Sequence, residues 1–299
     1  MGKPKGPIAR WAIRNLSHPV EAALIGGFWG LCRLLPLDAA SALGGALGRL
    51  VGPLLPGDRT ARRNLDLALP GLDKAAKDRI VKGMWDNLGR TLAEYPHLEQ
   101  ISRERVAVVG RDVLDQLRDD GKAAFFISGH IANWEAQIPT VRQAGLETAT
   151  VYRAPNNRFV DRMIGRFRGD PPARMIPKGP EGAKKFMKAL AEGAHVCMLV
   201  DQKMNDGVEA RFFGRPAMTA PAAARLALRR KLPVATSRIE RLEGARFRET
   251  FTLLTDLPPD DSAASVAALT QRLNDILEGW ITDRPAQWLW VHRRWPESR

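Results

Sequence analysis

Cysteine is nearly absent from this 299-residue chain. Only Cys32 and Cys197 occur. They are far apart and lack metal-ligand spacing, which argues against a disulfide framework or a thiolate metal site and for a reducing compartment. No glycine-rich phosphate loop, internal repeat or low-complexity tract occurs. Acid is also scarce: 33 Asp and Glu stand against 46 Lys and Arg, a net charge of +13. The excess is spread along the chain and calls for an anionic partner, whether nucleic acid, anionic lipid or an acidic protein. No apolar run reaches the roughly 20 residues of a confident spanning helix. With 44% hydrophobic residues, the chain can bury a sizeable core as one large domain or two small ones.

The N-terminal part is basic and apolar by turns. Lys3, Lys5, Arg10 and Arg14 alternate with Trp11 and Ile13, as in an amphipathic lead-in to an anionic membrane surface. Residues 20–35 are strongly apolar until Arg33 interrupts and Pro36 ends the run. A second apolar stretch spans 39–55. Gly44, Gly48 and Gly52 are four apart, as are Gly26 and Gly30, a spacing that permits close helix approach, in membranes especially. The pattern predicts a membrane-dipping helix or helical hairpin; two glycine-rich helices of a soluble core are the alternative. Ala40-Ser41-Ala42 resembles a cleavage site, but the long basic region and Arg33 favour an uncleaved segment.

The chemistry concentrates at Ala123-Ala124-Phe125-Phe126-Ile127-Ser128-Gly129-His130. A short apolar strand stops at Ser-Gly and a histidine follows at once. Glu135 stands five residues on, about 140° around a regular helix. The two side chains can converge only if His130 precedes the helix and Glu135 lies one turn inside. Such a pair would be a general base and the carboxylate that orients it. No second histidine completes a zinc-protease pattern. Ser128 lacks the flanking glycines of a nucleophile elbow. Without an obvious nucleophile, direct transfer is more natural than a covalent intermediate.

The remaining chain alternates strands and helices. Residues 59–100 read as helical, with Ile80, Met84, Trp85, Leu88 and Leu92 forming a core stripe. Strands are expected at 106–109, 148–152, 196–200, 234–238 and 247–254. Helices are expected at 113–117, 183–192, 220–228 and 266–281. The polar loop Arg153-Ala154-Pro155-Asn156-Asn157 follows one strand, where sites are commonly built. Asp201-Gln202-Lys203 follows another. Such polar breaks mark an α/β sheet whose strand ends carry function. Arg158, Arg162 and Arg166 share a helix face and would suit phosphates or an acidic protein. Lys178-Gly179-Pro180-Glu181-Gly182 would open a helix whose backbone N–H groups could meet an anion. Phe212-Phe213-Gly214 is an aromatic turn. His292, in the Trp-rich basic tail, is a weaker second histidine candidate.

These blocks together resemble the late (lauroyl/myristoyl) acyltransferases of bacterial lipid A biosynthesis, within the lysophospholipid acyltransferase superfamily. The blocks are Ser128–Glu135, Tyr152–Asn157 with Asp161, Leu199–Gln202, Phe212–Gly214 with Thr219, and Pro285–Trp288 with His292-Arg293-Arg294. The resemblance covers nearly the whole chain. It implies an α/β fold, a central mixed sheet flanked by helices, with a membrane-associated helical segment over 1–56 and an acyltransferase domain over 57–299. It implies acyl transfer from acyl carrier protein to a hydroxyl of a Kdo-bearing lipid A precursor, at the bacterial inner membrane with the active site on the cytoplasmic face. His130 and Glu135 become the catalytic pair. Arg153, Asn156, Asp201, Gln202 and Arg166 become substrate-binding residues. The carrier thioester supplies the activation, so neither metal nor cofactor is expected. Three alternatives stay open: another lipid acceptor (lysophospholipid, aminolipid or glycolipid), a basic nucleic-acid-binding protein, and a catalytically dead membrane scaffold.

Overall fold

A computed structural model describes residues 17–169, 174–177 and 180–296. The basic lead-in at 3–14 and the Lys178-Gly179 turn lie outside the described residues. The apolar N-terminal run forms α1 (His18–Leu34), and Pro36 separates it from α2 (Leu37–Val51). After a short turn come α3 (Pro56–Ala68) and α4 (Lys74–Glu94). Asp73 caps α4 by accepting a hydrogen bond from the Ala76 N–H at 2.6 Å, which satisfies one of the free donors of the first turn. The glycine spacing is used here, between helices of this chain. A Cβ on Gly44 would lie 2.3 Å from the Gly89 carbonyl oxygen, and one on Gly48 2.0 Å from that of Trp85. Helices α2 and α4 therefore touch backbone to backbone. No helix among the described residues is long and apolar enough to cross a membrane.

Among the described residues, seven strands then form one sheet: β1 (Val106–Val109), β2 (Phe125–Ser128), β3 (Thr148–Tyr152), β4 (Met175–Pro177), β5 (His195–Leu199), β8 (Val234–Glu243) and β9 (Arg246–Leu253). Their order is β1-β9-β8-β2-β5-β3-β4. Only β8 and β9 pair antiparallel, so the sheet is mixed. Strand β2 lies centrally between β5 and β8, and all four of its residues are buried. That explains its unbroken apolar run, since a strand covered on both faces has no polar side. Phe125 and Ile127 face the core with Trp288, Trp290 and Leu277. Phe126 faces the other core, with Leu114, Val141 and Phe251.

Helices cover both faces: α5 (Leu98–Glu104), α6 (Arg111–Asp119), α7 (Gln137–Gln143), α8 (Arg158–Arg168), α9 (Pro180–Ala191), α10 (Ala222–Arg230) and α11 (Ala263–Asp283). The expected strands and helices are present, offset by a few residues at their ends. Two elements were not anticipated. One is the short edge strand β4. The other is an antiparallel hairpin outside the sheet, β6 (Lys203–Phe212) and β7 (Arg215–Thr219). The aromatic turn is its tip, with Phe213 at φ +50° and Gly214 at φ +69°.

Candidate active site

Strand register builds the site. Strands β2 and β5 run parallel with Ser128 opposite Leu199. Two residues beyond each partner stand His130 and Asp201. Equal offsets from paired positions bring the two side chains together at the carboxyl edge of the sheet, where open α/β sheets place their ligands. His130 Nδ1 lies 2.8 Å from Asp201 Oδ1. The His130 backbone N–H donates to Asp201 Oδ2 at 2.8 Å, and the Trp288 indole N–H donates to the same oxygen at 2.7 Å. Gly129 makes room: a Cβ there would meet Leu277 at 2.9 Å and the Asp201 carboxyl at 3.4 Å.

The electrostatics fix the tautomer. Burial alone would raise the pKa of Asp201. The charge of His130 and the hydrogen bonds from His130 and Trp288 outweigh it and hold the carboxyl well below its ordinary range. Asp201 is therefore an ionised acceptor, so His130 Nδ1 carries the proton and donates. In the neutral ring Nε2 then has a free lone pair. The Gln202 side-chain N–H donates to it at 3.2 Å. Trp134 lies beside the ring, with centroids 5.1 Å apart. His130, Trp134 and Gln202 are each partly exposed, whereas Asp201 is buried. The arrangement is a partly exposed imidazole oriented from behind by a buried carboxylate, one that can act as a base.

The expected His130–Glu135 contact does not form. Glu135 lies in a one-turn helix, Trp134–Ala136, at the start of the helical segment rather than one turn inside it, and it faces α8. Arg168 grips it with two hydrogen bonds, Nε to Oε2 at 2.5 Å and Nη2 to Oε1 at 2.7 Å. The Trp134 indole N–H donates to Oε1 at 2.9 Å. Burial favours protonating Glu135. The Arg168 charge, with hydrogen bonds from Arg168, Tyr95 and Trp134, reverses that and lowers its pKa. The residue that orients His130 is Asp201, expected only as a substrate-binding residue. Glu135 reaches His130 through Trp134, whose ring it tethers.

The other expected residues divide. Gln202 touches His130. Arg153 follows the carboxyl end of β3, the strand beside β5, so it shares the edge of the sheet with His130. Its side chain is exposed, as are those of Asn156 and Arg166. None of these three side chains hydrogen-bonds another described residue. Asn156 lines a cleft with Ser17, His18 and Glu21 at the start of α1. Its neighbour Asn157 is the structural residue of the loop. It caps α8 by accepting from the Phe159 N–H at 3.0 Å and donates to the His18 carbonyl of α1 at 2.7 Å. His292 is a strut. Its Nε2 accepts the Lys203 N–H at 2.8 Å, fixing the start of β6 just beyond Gln202. Sequence reading missed Arg168, the contact of Trp288 with Asp201 and the ties of the tail to the loop. Trp288 forms a bridge with Ile131, and the Leu289 N–H donates to the His130 carbonyl at 3.0 Å. Among the described residues no three His, Cys, Asp or Glu side chains are grouped to hold a metal ion.

The profile of the family described as bacterial lipid A biosynthesis acyltransferase matches residues 12–297. The chain belongs to that family. It is similar to the phosphatidylinositol mannoside acyltransferase of Mycobacterium tuberculosis (strain ATCC 25618 / H37Rv), 25% identical over 251 residues that cover 80% of this chain and 77% of the relative. The protein of the same description from strain CDC 1551 / Oshkosh is 24% identical over 250 residues, with the same coverage. The protein is an acyltransferase that acts on a lipid acceptor.

Proposed function

We propose that this acyltransferase moves a fatty acyl chain from the thioester of acyl carrier protein to a hydroxyl of a Kdo-bearing lipid A precursor, with His130 as general base. The observation that carries the reading is the His130–Asp201 pair at the sheet edge. His130 Nε2 takes the acceptor's hydroxyl proton as that oxygen attacks the thioester carbonyl. Asp201 stabilises the imidazolium that forms. The tetrahedral intermediate collapses to the new ester, and His130 returns the proton to the leaving thiolate. The acceptor hydroxyl must first displace the Gln202 amide from Nε2. Arg153, on the same edge, and the exposed row Arg158, Arg162 and Arg166 on α8 supply cations for acceptor phosphates or an acidic carrier. The net charge of +13 supports such partners.

The same reading places residues 1–56 against the cytoplasmic face of the inner membrane. On α1, Val20, Leu24, Leu31 and Leu34 lie within one narrow face. They are exposed, Leu24 by 71% and Leu34 by 84%. Leu50 and Leu54, further along the N-terminal segment, are exposed as well. A helix with one greasy face and basic neighbours lies in the interface rather than across it.

A second acceptor class has its own support, because both curated relatives are described as phosphatidylinositol mannoside acyltransferases. The test supplies purified protein in mild detergent with labelled acyl carrier protein thioester. In parallel reactions it receives a Kdo-bearing lipid A precursor or a phosphatidylinositol mannoside, and products are weighed by mass spectrometry beside His130→Ala. Product from the first acceptor supports the proposal. Product from the second alone replaces the acceptor. Equal rates from wild type and His130→Ala remove the base.

A further inference from the structure

The loop carrying His130 is held in a conformation its sequence disfavours. Ala132 has φ +50°, in the left-handed region that crowds a Cβ against the backbone. Four hydrogen bonds keep it there. The Ala132 N–H donates to the Gln287 carbonyl at 2.9 Å. The Ala132 carbonyl accepts from Asn87 Nδ2 at 3.0 Å and from Thr91 Oγ1 at 3.1 Å. Next along the chain, Asn133 Nδ2 donates to Glu94 Oε2 at 2.8 Å. Asn87, Thr91 and Glu94 are spaced four and three residues apart, so they share one face of α4.

One side chain on β8 reaches all three. Arg241 Nε donates to Asn87 Oδ1 at 2.8 Å. Its Nη1 and Nη2 donate to Glu94 at 2.5 and 3.0 Å, and Nη2 also donates to Thr91 Oγ1 at 3.3 Å. Its backbone holds the fourth anchor: the Arg241 N–H donates to Gln287 Oε1 at 2.9 Å, and Gln287 Nε2 donates to the Arg241 carbonyl at 2.8 Å. Each of these four anchors, from α4 and from Gln287, is thus itself bonded by Arg241. Glu94 is fully buried and Arg241 is 7% exposed. A buried ion pair is weak evidence for stability, since well-packed apolar residues of equal volume often do as well. Its distinctive property is direction. A guanidinium presents donors in a fixed planar fork, which orients several acceptors at once.

We infer that Arg241 is a positioning residue for His130. With Glu94 it sets Asn87, Thr91 and Gln287, which hold Ala132 left-handed and aim the His130 ring at Asp201. This rests on His130 being the general base.

The test reads the His130 Nδ1–H hydrogen bond by proton NMR of the full chain in detergent. A ring N–H bonded to a carboxylate resonates downfield of the amides, and His130→Ala identifies the signal by its loss. Arg241→Lys removes the fork. Thr91→Val keeps volume and ion pair and removes one hydroxyl, so a folded variant is in hand whatever Arg241→Lys does. Circular dichroism and melting establish folding, and thiol release from lauroyl-acyl carrier protein measures turnover. The expected result is a weakened or shifted resonance in both variants. For Thr91→Val, kcat falls about tenfold at unchanged KM, as for one lost hydrogen bond felt in the transition state. An unchanged resonance in folded Arg241→Lys and Thr91→Val overturns the inference. A wild-type spectrum without the resonance overturns it together with the His130–Asp201 pairing. A resonance that responds as expected, with wild-type turnover in His130→Ala, upholds the wiring and removes the general base instead.

Discussion

Asp201→Asn is the sharpest perturbation of the site. Three donors converge on the two Asp201 oxygens: the His130 ring at one, the His130 backbone and the Trp288 indole at the other. An asparagine has one oxygen and one NH2, so one set of donors must face another donor. If the NH2 takes the place of Oδ2, two N–H groups lose their acceptor and the loop start is pushed away. If it takes the place of Oδ1, the ring must turn its lone pair inward at Nδ1. Nε2 then carries the hydrogen and cannot accept the hydroxyl proton. Either way the base is lost while the shape of the residue is kept. Loss of the correct tautomer in a comparable His–carboxylate pair lowers kcat by roughly 10⁴. We expect kcat to fall by roughly 10³–10⁴ with KM changed far less. The assay is initial-rate acyl transfer from labelled carrier thioester, on protein shown by its melting curve to be folded. A folded Asp201→Asn that keeps more than a tenth of the wild-type kcat refutes the assignment of Asp201 as orienting group.

Other outcomes follow from the same geometry. Glu135→Gln or Arg168→Met, alone, opens a buried bidentate pair and should cost about 3–5 kcal/mol. The double variant should cost clearly less than the two singles together, so additive losses in a denaturant-unfolding cycle refute the pair. Glu249 is a core carboxyl whose pKa burial pushes up from 4.5 to about 7, against the hydrogen bonds from Ser237 and Thr140. The folded state therefore holds this proton more tightly, and stability falls as pH rises between those values. Glu249→Gln should remove that loss, about 3 kcal/mol at most; unfolding curves at pH 5 and 8 that keep the wild-type difference would contradict it. For the membrane face, the double substitution Leu24→Asp with Leu34→Asp should weaken sedimentation with anionic vesicles by tenfold or more, each leucine being worth about 1–2 kcal/mol when covered. Unchanged binding at equal fold removes α1 as the docking face.

The sequence was most legible where local physics decides. An apolar run stopped by Ser-Gly is a buried strand, and β2 is one. Strands β3 and β5, and the helices with clear apolar stripes, were visible for the same reason. The polar breaks at Arg153 and Asp201 were legible as strand-end loops. What remained hidden was adjacency. Whether Asp201 or Glu135 meets His130 depends on strand order, and nothing in the order of the residues states that β2 and β5 pair with Ser128 opposite Leu199. The nearest carboxylate in sequence therefore stood in for the nearest in space. Arg168 was lost among other basic residues, because exposed and buried arginines look alike in a sequence. The glycine spacing was read correctly as close helix packing, but its partner, Gly89 of α4, lies outside the apolar stretch that suggested a membrane.

The five-residue spacing from His130 to Glu135 still has a physical reason once Glu135 is no longer the partner of the base. His130 must stand two residues past the end of β2 to meet Asp201. Trp134 must then lie beside the ring, because its indole centroid is 5.1 Å away. The residue after Trp134 is the first that can hold that indole by its N–H and also face α8, where Arg168 waits. A carboxylate there does both, its Oε1 accepting from the Trp134 indole N–H at 2.9 Å while both its oxygens accept from the Arg168 fork. A shorter loop would pull Trp134 off the ring, and a longer one would release Glu135 from Arg168. Because α8 also carries the exposed row Arg158, Arg162 and Arg166 and packs on α1 through Trp29 and Phe167, the motif joins the base to the face proposed to meet anionic partners. The spacing is thus a constraint on the wall of the site, and the carboxylate that orients His130 is free to come from another strand.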